Sequence, residues 1–324
     1  MKGVLVAFQH LIQQQAFLRG MKALLKMNQS GGFDCSSCAW PDPDDDRSPI
    51  AEYCENGVKA LAEEATSKRI TANFFKQHSV KELAEWNDYE IGRFGRLTEP
   101  MYLPPNGTHY QPIGWNEAFE KIAQQLNGLS TPDEAAFYTS GRTSNEAAFA
   151  YQLFVREFGT NNLPDCSNMC HETSGTALSK VIGIGKGTVK LEDFYDTDLV
   201  IIIGQNPGTN APRMLTALEK GKRNGAKIIA INPLPETGLM GFQNPQELSG
   251  MIGKGMKLAD LFLPVKINGD MALLKALGKL LLDFERQSPG EVFDHAFIQQ
   301  KTTGYESYIA QFDALSLDRL AAES

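Results

Sequence analysis

The stretch LVIIIGQNPGTNAPRMLTALEKGKRNGAKIIAINP, residues 199–233, decides the fold. It opens on one unbroken apolar run, LVIII (199–203), and closes on a second, KIIAI (227–231). Runs without polar alternation belong to strands covered on both faces, which is the pattern of a parallel sheet. Between them, 212–224 reads as a helix. Pro212 suits a first turn that needs no N–H, and Gly225 closes the far end. Two strands joined by a helix run in the same direction. Downstream, 261–265 reads as a further strand and 271–284 as a helix. Upstream, Ala135 to Thr139 reads as a short apolar strand followed by a helix over 145–158. The chain is therefore predicted to be α/β, with a doubly wound, mainly parallel sheet.

Ligands of such sheets sit beyond the carboxyl ends of the strands, where loops and helix amino termini present N–H groups. Three loops qualify: SGRTSNE (140–146), GQNPGTNAP (204–212) and NPLPETG (232–238). Their Gly, Asn, Ser and Thr suit phosphates and ribose hydroxyls. The same residues form ordinary turns, so one loop alone decides nothing. Three at successive strand ends point to a nucleotide-like ligand.

Composition narrows the class. The 324 residues are 42% hydrophobic and 22% charged, ordinary for a globular protein with a sizeable core. Lys plus Arg is 31 against 39 for Asp plus Glu, a net charge of −8. Nucleic-acid binding relies on a basic field, so no nucleic-acid partner is expected. No run of about 18 apolar residues suggests a membrane span. The opening MKGVLVAF resembles a secretion signal, but Gln9, His10 and Gln13–Gln15 break it and no small-residue cleavage site follows. Its apolar residues recur at helical spacing instead, which predicts one or two amphipathic helices over 1–27 and a cytoplasmic protein.

Cysteines stand at 35, 38, 54, 166 and 170. An odd number in a large acidic chain argues for ligands or catalysis over a disulfide framework. Residues 28–50 are dense in Gly, Pro, Asp and Ser and predict a long irregular loop. There Cys35-x2-Cys38, with Cys54 beyond, offers soft thiolates to zinc or to an iron–sulfur cluster. A zinc ribbon would add a second C-x2-C or a His pair, and neither is present. The acidic run at 42–46 fails as an EF-hand, since Pro43 interrupts it and Arg47 stands where the loop needs Gly. GIGKGT (183–188) lacks the ending of a phosphate loop. In DCSNMCH (165–171), Cys170 and His171 precede a helix expected over 174–182. A thiolate at a helix amino terminus is stabilised as a nucleophile or metal ligand, while a buried inert pair fits the spacing equally.

These motifs together resemble the molybdopterin-guanine-dinucleotide oxidoreductases, and within them the catalytic subunits of formate dehydrogenases, over about residues 30–315. Members open with C-x2-C-x3-C and a later fourth Cys. They continue with a Gly/Thr/Asn/Glu loop, a Cys-His motif, a G-x-N-P loop and a K-I-I-x-x-[DN]-P strand end. The combination GFDCSSCAWPDP, CENG, TSGRTSNEA and DCSNMCHE is similar to a formate-dehydrogenase-like branch. The resemblance implies a fold of the formate dehydrogenase/DMSO reductase type. An extension at 1–32 would precede an iron–sulfur subdomain at 33–110, with an incomplete dinucleotide-binding α/β region at 111–324. It implies a [4Fe–4S] cluster on Cys35, Cys38, Cys54 and Asp42, the last standing where a third cysteine belongs. It further implies molybdenum bis(molybdopterin guanine dinucleotide), with Cys170 as metal ligand and His171 as proton acceptor. Ser144, Asn145, Gln205, Asn206, Thr209, Asn210, Asn232 and Asp270 would line the dinucleotides, and Cys166 would only pack. The family's relay lysine is replaced by Asn56, leaving Lys59 nearest. Glu172 stands where formate dehydrogenases have Gly, so the small-molecule substrate stays open. Members run several hundred residues further, so the chain reads as a front part not expected to turn over alone. Electrons would pass to a protein partner. A cluster-binding module without molybdenum and a zinc-stabilised nucleotide-binding protein are the alternatives.

Overall fold

A computed structural model of the protein describes residues 2–38, 40–41, 43, 47–48, 51–164, 170–253 and 255–324. Asp42, the acidic residues 44–46 and Cys166 lie outside the described residues. The chain forms two compact units, one of Met1–Leu191 with Pro245–Ile252 and one of Glu192–Asn244 with Gly253–Ser324.

The first unit begins with α1 (Lys2–Gln13) and α2 (Phe17–Leu24), the helices expected from the apolar spacing, and continues to α3 (Glu55–Glu64). Ala7, Leu11, Leu24, Met27, Val58 and Ala62 close a small core among them. Leu11 and Met27 are each 1% exposed, and emptying such a site costs about 2–5 kcal/mol. The segment between α2 and α3 is irregular in its described part, as its composition predicts. Further on lie α4 (Trp115–Asn127), α5 (Asn145–Phe158) and α6 (Glu172–Ile182). Helix α5 has the bounds its sequence predicts. The Ser144 hydroxyl accepts from the Ala147 N–H at its start, and Gly159 ends it at φ 106°.

The expected strand Ala135 to Thr139 is not one. Its Phe137 N–H donates to the Asn162 carbonyl at 2.9 Å. The Asn162 side chain donates in turn to the Asp133 and Ala135 carbonyls at 2.8 and 3.1 Å. The segment is apolar because the buried Phe137 ring packs against Tyr151, Phe154 and Phe158 of α5. Burial under one helix produces the same apolar run as burial in a sheet.

The second unit holds the parallel sheet. Its strands β1 (Leu199–Ile203), β2 (Lys227–Ile231) and β3 (Leu261–Leu263) lie in the order β1-β2-β3. Leu199 stands opposite Lys227, and Ile229 opposite Leu261. Helix α7 (Pro212–Arg223) crosses from β1 to β2, and α8 (Asp270–Gln287) follows β3. Central β2 matches its apolar sequence, with Ile228 at 0% and Ala230 at 1% exposure. Edge strand β1 departs from it: Leu199, Ile201 and Ile203 are exposed while Ile202 is buried. Side chains alternate along a strand, so β1 covers one face only. Strand β3 is shorter than expected because Pro264 has no N–H for the ladder. Asp260 locks the sheet's near end, accepting from Lys222 Nζ at 2.7 Å and the Ile228 N–H at 2.9 Å. Beyond α8 the buried Glu285 accepts from the Gly290, Val292 and Phe293 N–H groups and meets His295 Nε2 at 2.6 Å. These bonds pull its carboxyl from 4.5 to about 2, the Gly290 amide contributing most. Among the described residues no helix is long and apolar enough to cross a membrane.

Candidate cofactor site

The sheet sends three loops past its carboxyl ends: 204–211 after β1, 232–238 after β2 and 264–269 after β3. The Gly204 N–H still donates to the Ile231 carbonyl at 3.0 Å. Its φ of 64° then turns the chain out of the sheet, a conformation that favours glycine. Gln205, Thr209 and Asn210 are exposed, and Asn206 and Asn232 are half-buried. The two asparagines share one partner that the sequence reading missed. Glu236 Oε2 accepts from Asn206 Nδ2 at 2.6 Å, and Oε1 from Asn232 Nδ2 at 3.1 Å. The loops also touch directly, since a Cβ on Gly238 would stand 3.1 Å from the Gly208 Cα. Asp270 is the first residue of α8, just past the β3 loop, where a carboxylate complements the helix dipole.

The 140–146 loop differs from these. It follows no strand of the sheet, so the three strand-end loops are those after β1, β2 and β3. Ser144 is occupied as the cap of α5, Asn145 is exposed, and Arg142 Nη1 lies 3.6 Å from Glu63 Oε2.

Cys170 is exposed, and His171 is the cap residue of α6, its carbonyl accepting from the Gly175 N–H at 2.8 Å. Beside it runs an open groove of about 430 Å³ lined by His171, Glu172, Thr176, Ser179 and Lys180. The GIGKGT stretch closes its far wall. A Cβ on Gly185 would come 3.1 Å from the Gly175 carbonyl, so Gly185 serves close packing against α6.

Cys35 and Cys54 come together at the first turn of α3. Cys54 caps that helix, and its thiol interacts with the Gly57 and Asn56 N–H groups. Burial pushes this thiol up most; those amides oppose the shift, and charge on Cys38 adds to it. Cys35 Sγ lies where a Cβ on Gly57 would come within 3.0 Å of it. The Cys35 N–H donates to Asn28 Oδ1 at 2.7 Å, while Asn28 Nδ2 donates to the Glu52 carbonyl at 2.6 Å. Asn28 thus ties the Cys35 segment to the one leading into Cys54, a role the sequence reading also missed. Lys59 pairs with Glu55 at 2.5 Å. Among the described residues no three His, Cys, Asp or Glu side chains group tightly enough for a single metal ion.

Residues 96–275 match the family model for molybdopterin oxidoreductases. A Mycobacterium tuberculosis protein named as an uncharacterized oxidoreductase is 54% identical over 317 residues, covering 98% of this chain and 41% of that protein. Protein YdeP of Escherichia coli is 49% identical over 289 residues, 88% of this chain and 38% of its own length. Formate dehydrogenase H of Escherichia coli is 30% identical over 274 residues, 80% of this chain and 35% of its own. The chain belongs to the molybdopterin oxidoreductase family. It spans about two fifths of the length of these relatives.

Family membership implies a molybdopterin cofactor. The residues present fit a polar cofactor: three loops leave the carboxyl ends of the strands, two are locked together, and among the described residues neither asparagine oxygen accepts a hydrogen bond.

Proposed function

We propose that this chain carries the cluster end and the dinucleotide loops of a molybdopterin-dependent, formate dehydrogenase-like oxidoreductase of the cytoplasm. The observation that carries the reading is the approach of Cys35 to the Cys54 cap of α3 around Gly57, in a member of this family; Cys38 would join them. A [4Fe–4S] cluster gives each thiolate its own iron, so its ligands stand further apart than those of one ion. Asp42 would supply the remaining ligand through oxygen. Gln205, Asn206, Thr209, Asn210, Asn232 and Asp270 would hold molybdopterin guanine dinucleotide, with Ser144 and Asn145 contributing from the α5 start. Cys170 would bind the metal by its thiolate.

When bound, the molybdenum bis-pterin group supplies two-electron oxidation or reduction of a small substrate. His171 accepts or returns a proton at its ring, its main chain held in the α6 cap. The groove beside it admits a small molecule past Glu172 and Lys180. Cys35, Cys38 and Cys54 would hold the cluster that would carry electrons toward a protein partner.

Anaerobic purification of the full-length protein with metal analysis tests this. About four irons and one molybdenum per chain are expected. Molybdenum below about a tenth of an equivalent would leave a cluster-binding electron-transfer module, and a colourless zinc protein would sink the cluster as well. Cys170→Ala should abolish turnover with the iron content intact, and preserved turnover refutes its ligand role.

A further inference from the structure

Helix α1 is apolar on two of its sides. Ala7 and Leu11 enter the core with Leu24 and Val58. Leu5, Phe8 and Ile12, three and four residues apart, share another side and stand in solvent, Ile12 at 63% exposure. On α2, Leu18 and Leu25 are one heptad apart and also exposed, Leu18 at 76%. Phe17 joins the two sets, its ring centroid 6.4 Å from that of Phe8. Single exposed leucines are ordinary, but a connected apolar surface over two helices marks something that covers it. The charges around it narrow what that is. Residues 1–27 hold Lys2, Arg19, Lys22 and Lys26 and no acidic residue, in a chain of net charge −8. All four cations are exposed, and among the described residues none of them forms an ion pair. The carboxylates of α3, the helix packed against both, are already taken: Glu55 by Lys59, Glu63 by Arg142 and Glu64 by Arg96.

We propose that the α1–α2 pair is a docking surface for an anionic lipid bilayer. Leu5, Phe8, Ile12, Leu18 and Leu25 enter the acyl boundary, and Lys2, Arg19, Lys22 and Lys26 meet the headgroup phosphates. Helices that lie in a bilayer interface combine these two features, an apolar face and flanking lysine or arginine. Lysine is depleted where one protein meets another. Three lysines around an apolar strip therefore favour lipid over a second copy or over another part of a longer polypeptide. The cytoplasmic leaflet of a cell membrane is anionic and attracts such segments. The proposal is independent of the cofactor loops.

Sedimentation of the full-length protein with vesicles of phosphatidylcholine and phosphatidylglycerol, beside vesicles of phosphatidylcholine alone, tests this. Binding to the mixed vesicles should be at least about tenfold tighter, since each cation near an anionic surface is worth about fivefold. It should weaken as salt rises from about 0.1 to about 0.5 M. Leu18→Ser should weaken it by about tenfold or more, the worth of one buried leucine, and Lys22→Gln by about fivefold. Neither should move the urea midpoint, because both side chains are in solvent. If Leu18→Ser lowers that midpoint, Lys22→Gln carries the test. A protein that stays in the supernatant with the mixed vesicles overturns the proposal, as do equal binding to both vesicles and variants that bind like the parent. So does a parent dimer that Leu18→Ser converts to monomer, which would assign the surface to a second copy.

Discussion

Asn28 in the cysteine loop and the pair Asn206 and Asn232 in the strand-end loops are the same residue type put to opposite uses. Asn28 is 2% exposed, and both ends of its amide are bonded within the chain. Its own N–H reaches the Phe33 carbonyl at 2.8 Å, and its carbonyl receives Arg47 at 3.3 Å. Asn206 and Asn232 are half-buried; each gives one amide N–H to Glu236, and among the described residues neither oxygen accepts a bond. A polar network closed on itself specifies structure, whereas one left open specifies what can bind. The cysteine loop needs the first kind because it has little regular structure of its own. The strand-end loops inherit their shape from the sheet and can leave acceptors unused.

The contrast breaks most easily at Asn28. Asn28→Ala should lower the unfolding free energy by about 2–4 kcal/mol, since it strands the Cys35 N–H and the Glu52 carbonyl and places alanine at positive φ. Asn232→Ala should cost under about 1 kcal/mol, because its lost bond is half-exposed. Urea melts of the two variants check this, and equal losses would erase the distinction.

Glu285 extends the comparison to a carboxylate whose bonds are all internal. Its folded value, about 2, lies below its ordinary 4.5. Its contribution is thus fully present above about pH 4.5 and lost as the pH falls toward 2. Glu285→Gln should flatten the acid side of the stability curve in that window. Parent and variant curves of equal slope there would refute the role.

The smallest effect belongs to Lys59. Its bond to Glu55 is a half-exposed pair one helical turn apart, so Lys59→Met should change stability by about 0.3–0.5 kcal/mol. A loss comparable to that of Asn28→Ala would make Lys59 part of the cysteine scaffold.

Much of this architecture is legible from sequence where geometry is local. Strands β1 and β2 and helix α5 are visible because apolar period and capping residues lie within each element. The 135–139 segment misleads because an apolar run does not say whether a sheet or a single helix covers it. Glu236 is invisible for another reason: it joins a loop 30 residues away, and nothing local marks it. Asn28 is hidden likewise, with its Glu52 partner 24 residues on. The cysteines stand out by residue type alone, yet the approach of Cys35 to the start of α3 depends on Gly57 leaving room for it. Asp42, the most unusual ligand the motif implies, lies outside the described residues.

The Gly208 and Gly238 contact has a consequence for how this site can be altered. A side chain at 238 would meet the Gly208 Cα at 3.1 Å and the Leu215 methyls at 3.1 and 3.3 Å, whereas one at Gly241 would meet nothing within 4 Å. Neither of the two touching loops can be exchanged by itself without forcing the other apart. A library that grafts new recognition loops onto this sheet must therefore vary them as a linked pair.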